Sequence, residues 1–265
     1  MTPTRDSGPW LRRAQPLLGT LLEIGLRGSG DDGHAALAAA FAAVRELQVC
    51  LSRFEAGSDV TRFHALRRGE SMPMRPAMRH VLAAAQQLQV ATAGAFDISL
   101  GSAPDGWSCD GDTLRKLSDA VRLDLGGIGK GYAVDCAVQV LLTRGFEAGW
   151  VNAGGDLRAF GNAELPVQLR DERSGGVRPF ATLRDGAWAT SHFDRCSRSQ
   201  LAGGARTLQV NAYAYAYAHA HTHVSVAAPL CLWADALTKV VAASGDTDHP
   251  VLTRFQAQAW HHCAP

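Results

Sequence analysis

The spacing of apolar and polar positions changes several times along the chain, and each change marks an element. Residues 16–27, PLLGTLLEIGLR, read as a strand. From 34 to 51 the pattern turns helical, with Leu37, Phe41, Val44, Leu47 and Leu51 on one side of an alanine-rich run. Glu55 to Ser58 form a polar turn and Val60 to Leu66 restart a helix. Pro73 and Pro76 interrupt the chain, and the segment from Pro76 to Thr92 is helical again, with Met78, Val81, Leu82, Ala85 and Leu88 aligned. Residues 102–120 read as a linker with a short helix between Gly106 and Gly111.

The densest pattern follows. Val121, Leu123 and Leu125 alternate, four glycines (Gly126, Gly127, Gly129, Gly131) fall within six residues, and Ala133, Val134, Ala137, Val138, Leu141 and Leu142 then recur at helical spacing. This is an extended approach, a glycine turn and a helix start. Glycine lets the backbone come close to a bulky anion, and the first N–H groups of a helix make a phosphate seat. Lys130 adds positive charge there, and Asp124 and Asp135 add negative charge. The P-loop pattern fails because Gly131 follows Lys130 where Ser or Thr is required, and the G-x-G-x-x-G fingerprint fails at Tyr132. A plain strand-to-helix turn is the competing reading.

Beyond it, Trp150 and Val151 end a strand, Asn152 to Gly155 turn, and Leu157 to Phe160 begin another strand. Residues 166–189 resemble a β-meander, with Arg184-Asp185-Gly186 as a hairpin signal, and the polar run Thr190 to Arg195 is placed to line a site. Residues 211–226 alternate strictly: Tyr213, Tyr215, Tyr217, His219, His221 and His223 share one strand face. Three histidines two apart offer metal ligands, against the plainer reading of an aromatic and imidazole stripe. Residues 230–243 form a helix closed by Gly245. Its Asp235 sits among apolar neighbours, where a charge needs a cation or a partner, and Lys239 lies one turn on. Both readings stand.

Composition narrows the class without naming it. A hydrophobic fraction of 46% and a net charge of +1 describe an ordinary globular chain with no basic excess for nucleic acid. No run approaches the ~18 apolar residues of a membrane span. The first 26 residues lack a secretory layout and a lipid-accepting cysteine, so a cytoplasmic location is expected. The six cysteines are scattered without a C-x-x-C pair and read as reduced thiols.

Taken in order, LLGT at 17–20, LSRFEAGSDVTRFHAL at 51–66, AFDISLG at 95–101, DLGGIGKGYAVD at 124–135 with VNAGGDLRAFG at 151–161, and ADALTKVV at 234–241 resemble the ApbE-type FAD:protein FMN transferase family. The resemblance implies an α+β, T-fold-like architecture spanning residues 1–265: two close lobes, mixed or antiparallel sheets with packed helices, and an FAD cleft between the lobes. It implies FAD as substrate, Mg2+ across its pyrophosphate, and transfer of FMN to a threonine of an acceptor flavoprotein with release of AMP. A non-catalytic FAD-binding paralogue and an FAD pyrophosphatase are the alternatives. By the same resemblance, Leu18, Phe54, Ala95, Phe96 and Asp97 contact the flavin or adenosine part, and Asp124 and Lys130 hold FAD. Gly127, Asp235 and Thr238 serve the metal, and Asp235 is the catalytic residue. Two departures are plain: Lys239 stands where the family has threonine, with Thr238 one residue early. The Tyr/Ala/His alternation replaces a His-x-x-Asp-Pro-x-Thr-Gly segment.

Overall fold

The computed structural model describes residues 9–28, 30–170, 176–193 and 222–263. Ten strands and six helices occur among them. The first difference from expectation is at the start. What read as one strand over 16–27 is a hairpin, β1 (Trp10–Leu17) and β2 (Thr20–Arg27), in which Leu17 pairs with Thr20. The two-residue turn needs positive φ at both positions, and Leu18 (φ 57°) and Gly19 (φ 72°) supply it. Apolar periodicity continues through such a turn, so it hid the reversal.

Helices α1 (Gly30–Leu51), α2 (Asp59–Ala65) and α3 (Pro76–Ala91) follow close to their expected positions. Ser58 caps α2, its hydroxyl accepting from the Thr61 N–H at 3.0 Å. By length and hydropathy alone, α1 meets the requirements of a membrane span, which corrects the reading that no run comes near it. In the fold its stripe of Leu37, Phe41, Val44 and Leu47 is buried, while Asp31, Asp32, Arg45 and Glu46 face outward. It is built as a core helix.

Residues 102–120 contain no helix. They form β4 (Trp107–Asp110) and β5 (Thr113–Lys116), joined by a two-residue turn at Gly111-Asp112. With β3 (Ser71–Pro73) they make a small sheet of order β3-β5-β4. Alternation decides the matter: Leu114 and Lys116 point inward and Thr113 and Arg115 outward. The buried Lys116 donates to the His64 carbonyl at 2.9 Å, and the His64 ring accepts the Leu123 N–H at 2.8 Å. The small sheet thereby holds the segment that leads into the glycine turn, which is irregular rather than a strand.

The rest is one antiparallel seven-stranded sheet, β1-β2-β6-β7-β8-β9-β10, with β6 Gly149–Ala153, β7 Asp156–Arg170, β8 Val177–Phe193, β9 Thr222–Ala228 and β10 Gln258–Cys263. Arg184-Asp185-Gly186 lies inside β8 and is not a hairpin. There the register with β7 slips between the pairs Ala159–Gly186 and Glu164–Arg184, with Asp185 at φ 33°. A bulge uses the same positive-φ chemistry as a turn. Of the Tyr/His alternation, positions 213–221 lie outside the described residues; β9 carries its end, where His223 stacks on His192 with centroids 4.2 Å apart.

Three helices cover one face of this sheet: α1, α4 (Gly129–Thr143) and α5 (Cys231–Ser244), while α6 (Val251–Arg254) leads into β10. Gly245 ends α5 in the left-handed conformation, φ 70°. Leu22, Ile24, Leu26, Phe41, Val134, Val138, Leu237 and Val240 are sealed in the main core. The opposite face carries a smaller apolar cluster in which Trp188 stacks on Trp260. The outcome is an α+β fold with antiparallel sheets and packed helices, as expected.

Candidate functional site: the glycine turn and the crossing of two helices

Helix α4 starts inside the glycine turn and crosses α5 so closely that position 131 cannot carry a side chain. A Cβ on Gly131 would collide with the Cys231 carbonyl and lie 2.8 Å from the Asp235 Cβ. At this crossing each helix caps the other. Asp135 of α4 accepts from the Cys231 and Leu232 N–H groups at 3.0 and 2.9 Å, the first amides of α5. Asp235 of α5 accepts from the Gly131 N–H at 3.1 Å, in the first turn of α4. Neither helix has a side-chain cap of its own, so the orphan amides are satisfied across the interface.

Four aspartates surround the turn, and each has its own basic partner. Asp124 is paired with Arg53 at 3.0 Å, Asp135 with Arg158 at 2.7 Å, Asp156 with Lys130, and Asp235 with Lys239 at 2.5 Å. Burial pushes Asp156 up to about 6, helped by the Asp235 charge and opposed by Lys130. Burial also pushes Asp235 up, but the two lysines and the Gly131 amide outweigh it and hold the carboxyl below its usual range. Asp135 goes the other way: burial prevails over Arg158 and the two amides, and its value is raised.

In front of the turn is a cavity of about 490 Å³ lined by Leu18, Gln48, Arg53, Phe54, Asp124, Gly126, Gly129 and Lys130, among others. Leu18, Phe54, Asp124 and Lys130 are thus brought together. Phe54 is 83% exposed and lies under the Arg53 guanidinium, 4.7 Å from the ring centroid. Gln48 closes the wall: its carbonyl accepts the Leu18 N–H at 2.8 Å and its amide donates to Glu55 at 2.9 Å. Gln48 and Arg53 were not singled out from the sequence: Gln48 fits the pattern of its helix, and Arg53 lies in the turn that follows it.

The remaining expected positions lie elsewhere. Phe96 is 1% exposed and Asp97 is buried, and neither they nor Ala95 line the cavity. Asp97 is occupied with its own turn, accepting from the Ser99 N–H and hydroxyl (both 2.7 Å) and the Gly101 N–H (2.9 Å). Asn152 holds the β6–β7 turn by accepting from the Gly155 N–H at 3.0 Å. Thr238 donates to the Asp235 carbonyl at 2.7 Å and shares a hydrogen bond with Ser191 at 2.8 Å. From the polar run 190–195, Ser191 reaches this cluster, bonded to Thr238 and accepting from the Lys239 ammonium at 3.0 Å. Asp235 is fully buried behind the turn and does not line the cavity.

A divalent ion at Gly127, Asp235 and Thr238 does not fit these residues as they stand. One Asp235 oxygen is held by the Lys239 ammonium and the other by the Gly131 N–H. Among the described residues no group of three His, Cys, Asp or Glu side chains is arranged to hold a metal.

A seven-stranded antiparallel sheet, a three-helix cover and a cavity at a glycine turn define a class of α+β protein. The model of the ApbE family matches residues 18–120 and 108–260. The chain belongs to the ApbE family. It is 26% identical over 207 residues to an FAD:protein FMN transferase of Rhodobacter capsulatus, a match covering 64% of this chain and 39% of that protein. Among solved structures it is similar to the apo flavinyl transferase ApbE of Pseudomonas stutzeri (TM-score 0.77, 23% identity, 96% of this chain and 91% of that one). It is also similar to ApbE of Vibrio cholerae (0.76, 18%, 97% and 94%) and to the ApbE protein of Thermotoga maritima (0.75, 19%, 97% and 97%).

Proposed function

We propose that the chain is an FAD:protein FMN transferase, which moves the FMN half of FAD to a threonine of an acceptor flavoprotein and releases AMP. The observation that carries this is the cavity at the glycine turn, with Lys130 in its wall and the exposed Phe54 at its side. Family membership and the activity named for the Rhodobacter capsulatus relative support it.

In this reading the FAD pyrophosphate lies along Gly126 to Lys130, and Leu18, Arg53 and Phe54 bound the space for a ring system. Phosphoryl transfer asks the protein for positioning and charge neutralisation more than for covalent chemistry. The threonine oxygen forms a bond to the FMN-side phosphorus as the bridging P–O bond to the AMP phosphate breaks. AMP leaves with the electron pair, and the hydroxyl proton passes to the departing AMP phosphate or to water. Lys130, kept cationic well above its ordinary range by Asp156 and Asp235 against the effect of burial, neutralises phosphate charge. Magnesium enters no step here.

The test is incubation with FAD and an acceptor domain carrying a flavinylation threonine, read by in-gel flavin fluorescence and AMP release. A fluorescent acceptor band with matching AMP is expected. AMP without acceptor would identify a pyrophosphatase instead. The complete pairing of all four aspartates favours a second reading, a flavin-binding protein without turnover; tight FAD binding with no AMP would establish it.

A further inference from the structure

We propose that the Lys239 ammonium is the resident cation of the Asp235 seat, so that the site works without a divalent metal there. The inference takes its substrate from the transferase reading, but the ion question stands by itself. An ammonium has three protons to donate. All three are used: on the Asp235 carboxylate at 2.5 Å, on the Asp235 carbonyl at 3.0 Å and on the Ser191 hydroxyl at 3.0 Å. The cluster is therefore closed, with Thr238 bonded to the same carbonyl and the same serine.

The lysine stem fills the space beside the turn. A Cβ placed on Gly127 would lie 3.3 Å from the Lys239 Cε, in the gap between the turn and Asp235 where an ion would have to sit. Magnesium needs near-octahedral oxygen ligands at about 2.0–2.1 Å. Both carboxylate oxygens are already engaged, one by the Lys239 ammonium and the other by the Gly131 amide.

Charge balance points the same way. Asp156 and Asp235 are the fully buried carboxylates of the crossing, and Lys130 and Lys239 match them one for one. A divalent ion added to a balanced cluster would face two ammonium groups. One that displaced Lys239 would strand a side chain only 10% exposed.

The decisive experiment titrates Mn2+ into the full chain without flavin and follows free ion by electron paramagnetic resonance. The wild type should leave Mn2+ free. Lys239→Thr should bind one equivalent at least about tenfold more tightly than the wild type, and Lys239→Thr with Asp235→Ala should lose it. Wild-type Mn2+ binding abolished by Asp235→Ala would overturn the proposal, as would Lys239→Thr with no gain in Mn2+ affinity. A second arm measures FAD binding and AMP release in EDTA and in Mg2+. Equal values in both support the proposal, and loss in EDTA with recovery in Mg2+ overturns it. Failure to bind FAD under either condition would defeat the transferase reading, while the Mn2+ titration still decides the ion seat.

Discussion

Asp135 and Asp235 occupy matching places at the two ends of one helix crossing, and they are used differently. Both reach across to cap the other helix. Asp135 spends both oxygens on backbone amides and takes its counter-charge from Arg158 on β7. Asp235 spends one oxygen on an amide and leaves the other to a lysine of its own helix. The first arrangement is a fastening between elements far apart in sequence. The second is a cap combined with a cation seat. A carboxylate with both oxygens on backbone amides is a part of the fold; one with an oxygen held only by a side chain can change partner without rebuilding the helices.

The comparison can be broken at the point both aspartates depend on. Gly131→Ala drives a methyl into the Cys231 carbonyl, which must separate α4 from α5 and loosen both caps. A loss of about 4 kcal/mol or more is expected in denaturant melts, at the severe end for one residue. Asp135→Ala removes the acceptor for two amides and leaves Arg158 half-enclosed without its partner; about 3 kcal/mol is expected in the same melts.

Lys239→Met leaves a buried carboxylate with only its amide bond and should cost about 2–3 kcal/mol. Combining it with Asp235→Asn should restore part of that loss, because the uncompensated charge disappears. A double-mutant cycle in urea measures the coupling, and simple additivity would mean that the pair is not energetically linked.

The smallest and most diagnostic effect is in pH. Asp135 is raised by burial against Arg158, so its folded form binds more protons than the unfolded one and its stability contribution declines as pH rises through the folded value. Asp235 is lowered because its lysines overcome burial, so its contribution is present above the unfolded value and lost as pH falls toward the folded one. Relative to wild type, Asp135→Asn should gain stability as pH rises through the carboxylate range, whereas Asp235→Asn should lose it. Urea midpoints measured across acid pH will show whether the two curves diverge.

Much of this crossing was legible in the sequence. The glycine cluster, the helix after it, the apolar setting of Asp235 and the i+4 position of Lys239 were all visible in local spacing. So were the helices α1, α2, α3 and α5, whose apolar stripes repeat without interruption. The reversal at Leu18-Gly19 was not, because leucine rarely takes a positive φ and here does so with its amide held by Gln48. The β4–β5 hairpin was missed because four-residue strands are too short to show a period. Asp185-Gly186 signalled a positive φ correctly, but only pairing with β7 decides whether that becomes a turn or a bulge. Asp97 was assigned a ligand contact by resemblance, and its carboxylate accepts from three donors of its own turn, on Ser99 and Gly101.

The Lys239–Asp235 pair also settles how the seat answers to its surroundings. A dissolved ion fills a seat by mass action, so occupancy follows its free concentration and falls when competitors rise. An ammonium on the same helix turn is held at a very high effective concentration by the chain itself. Its occupancy is therefore set by the sequence, once and for every molecule, whatever the ionic supply of the compartment where the protein works.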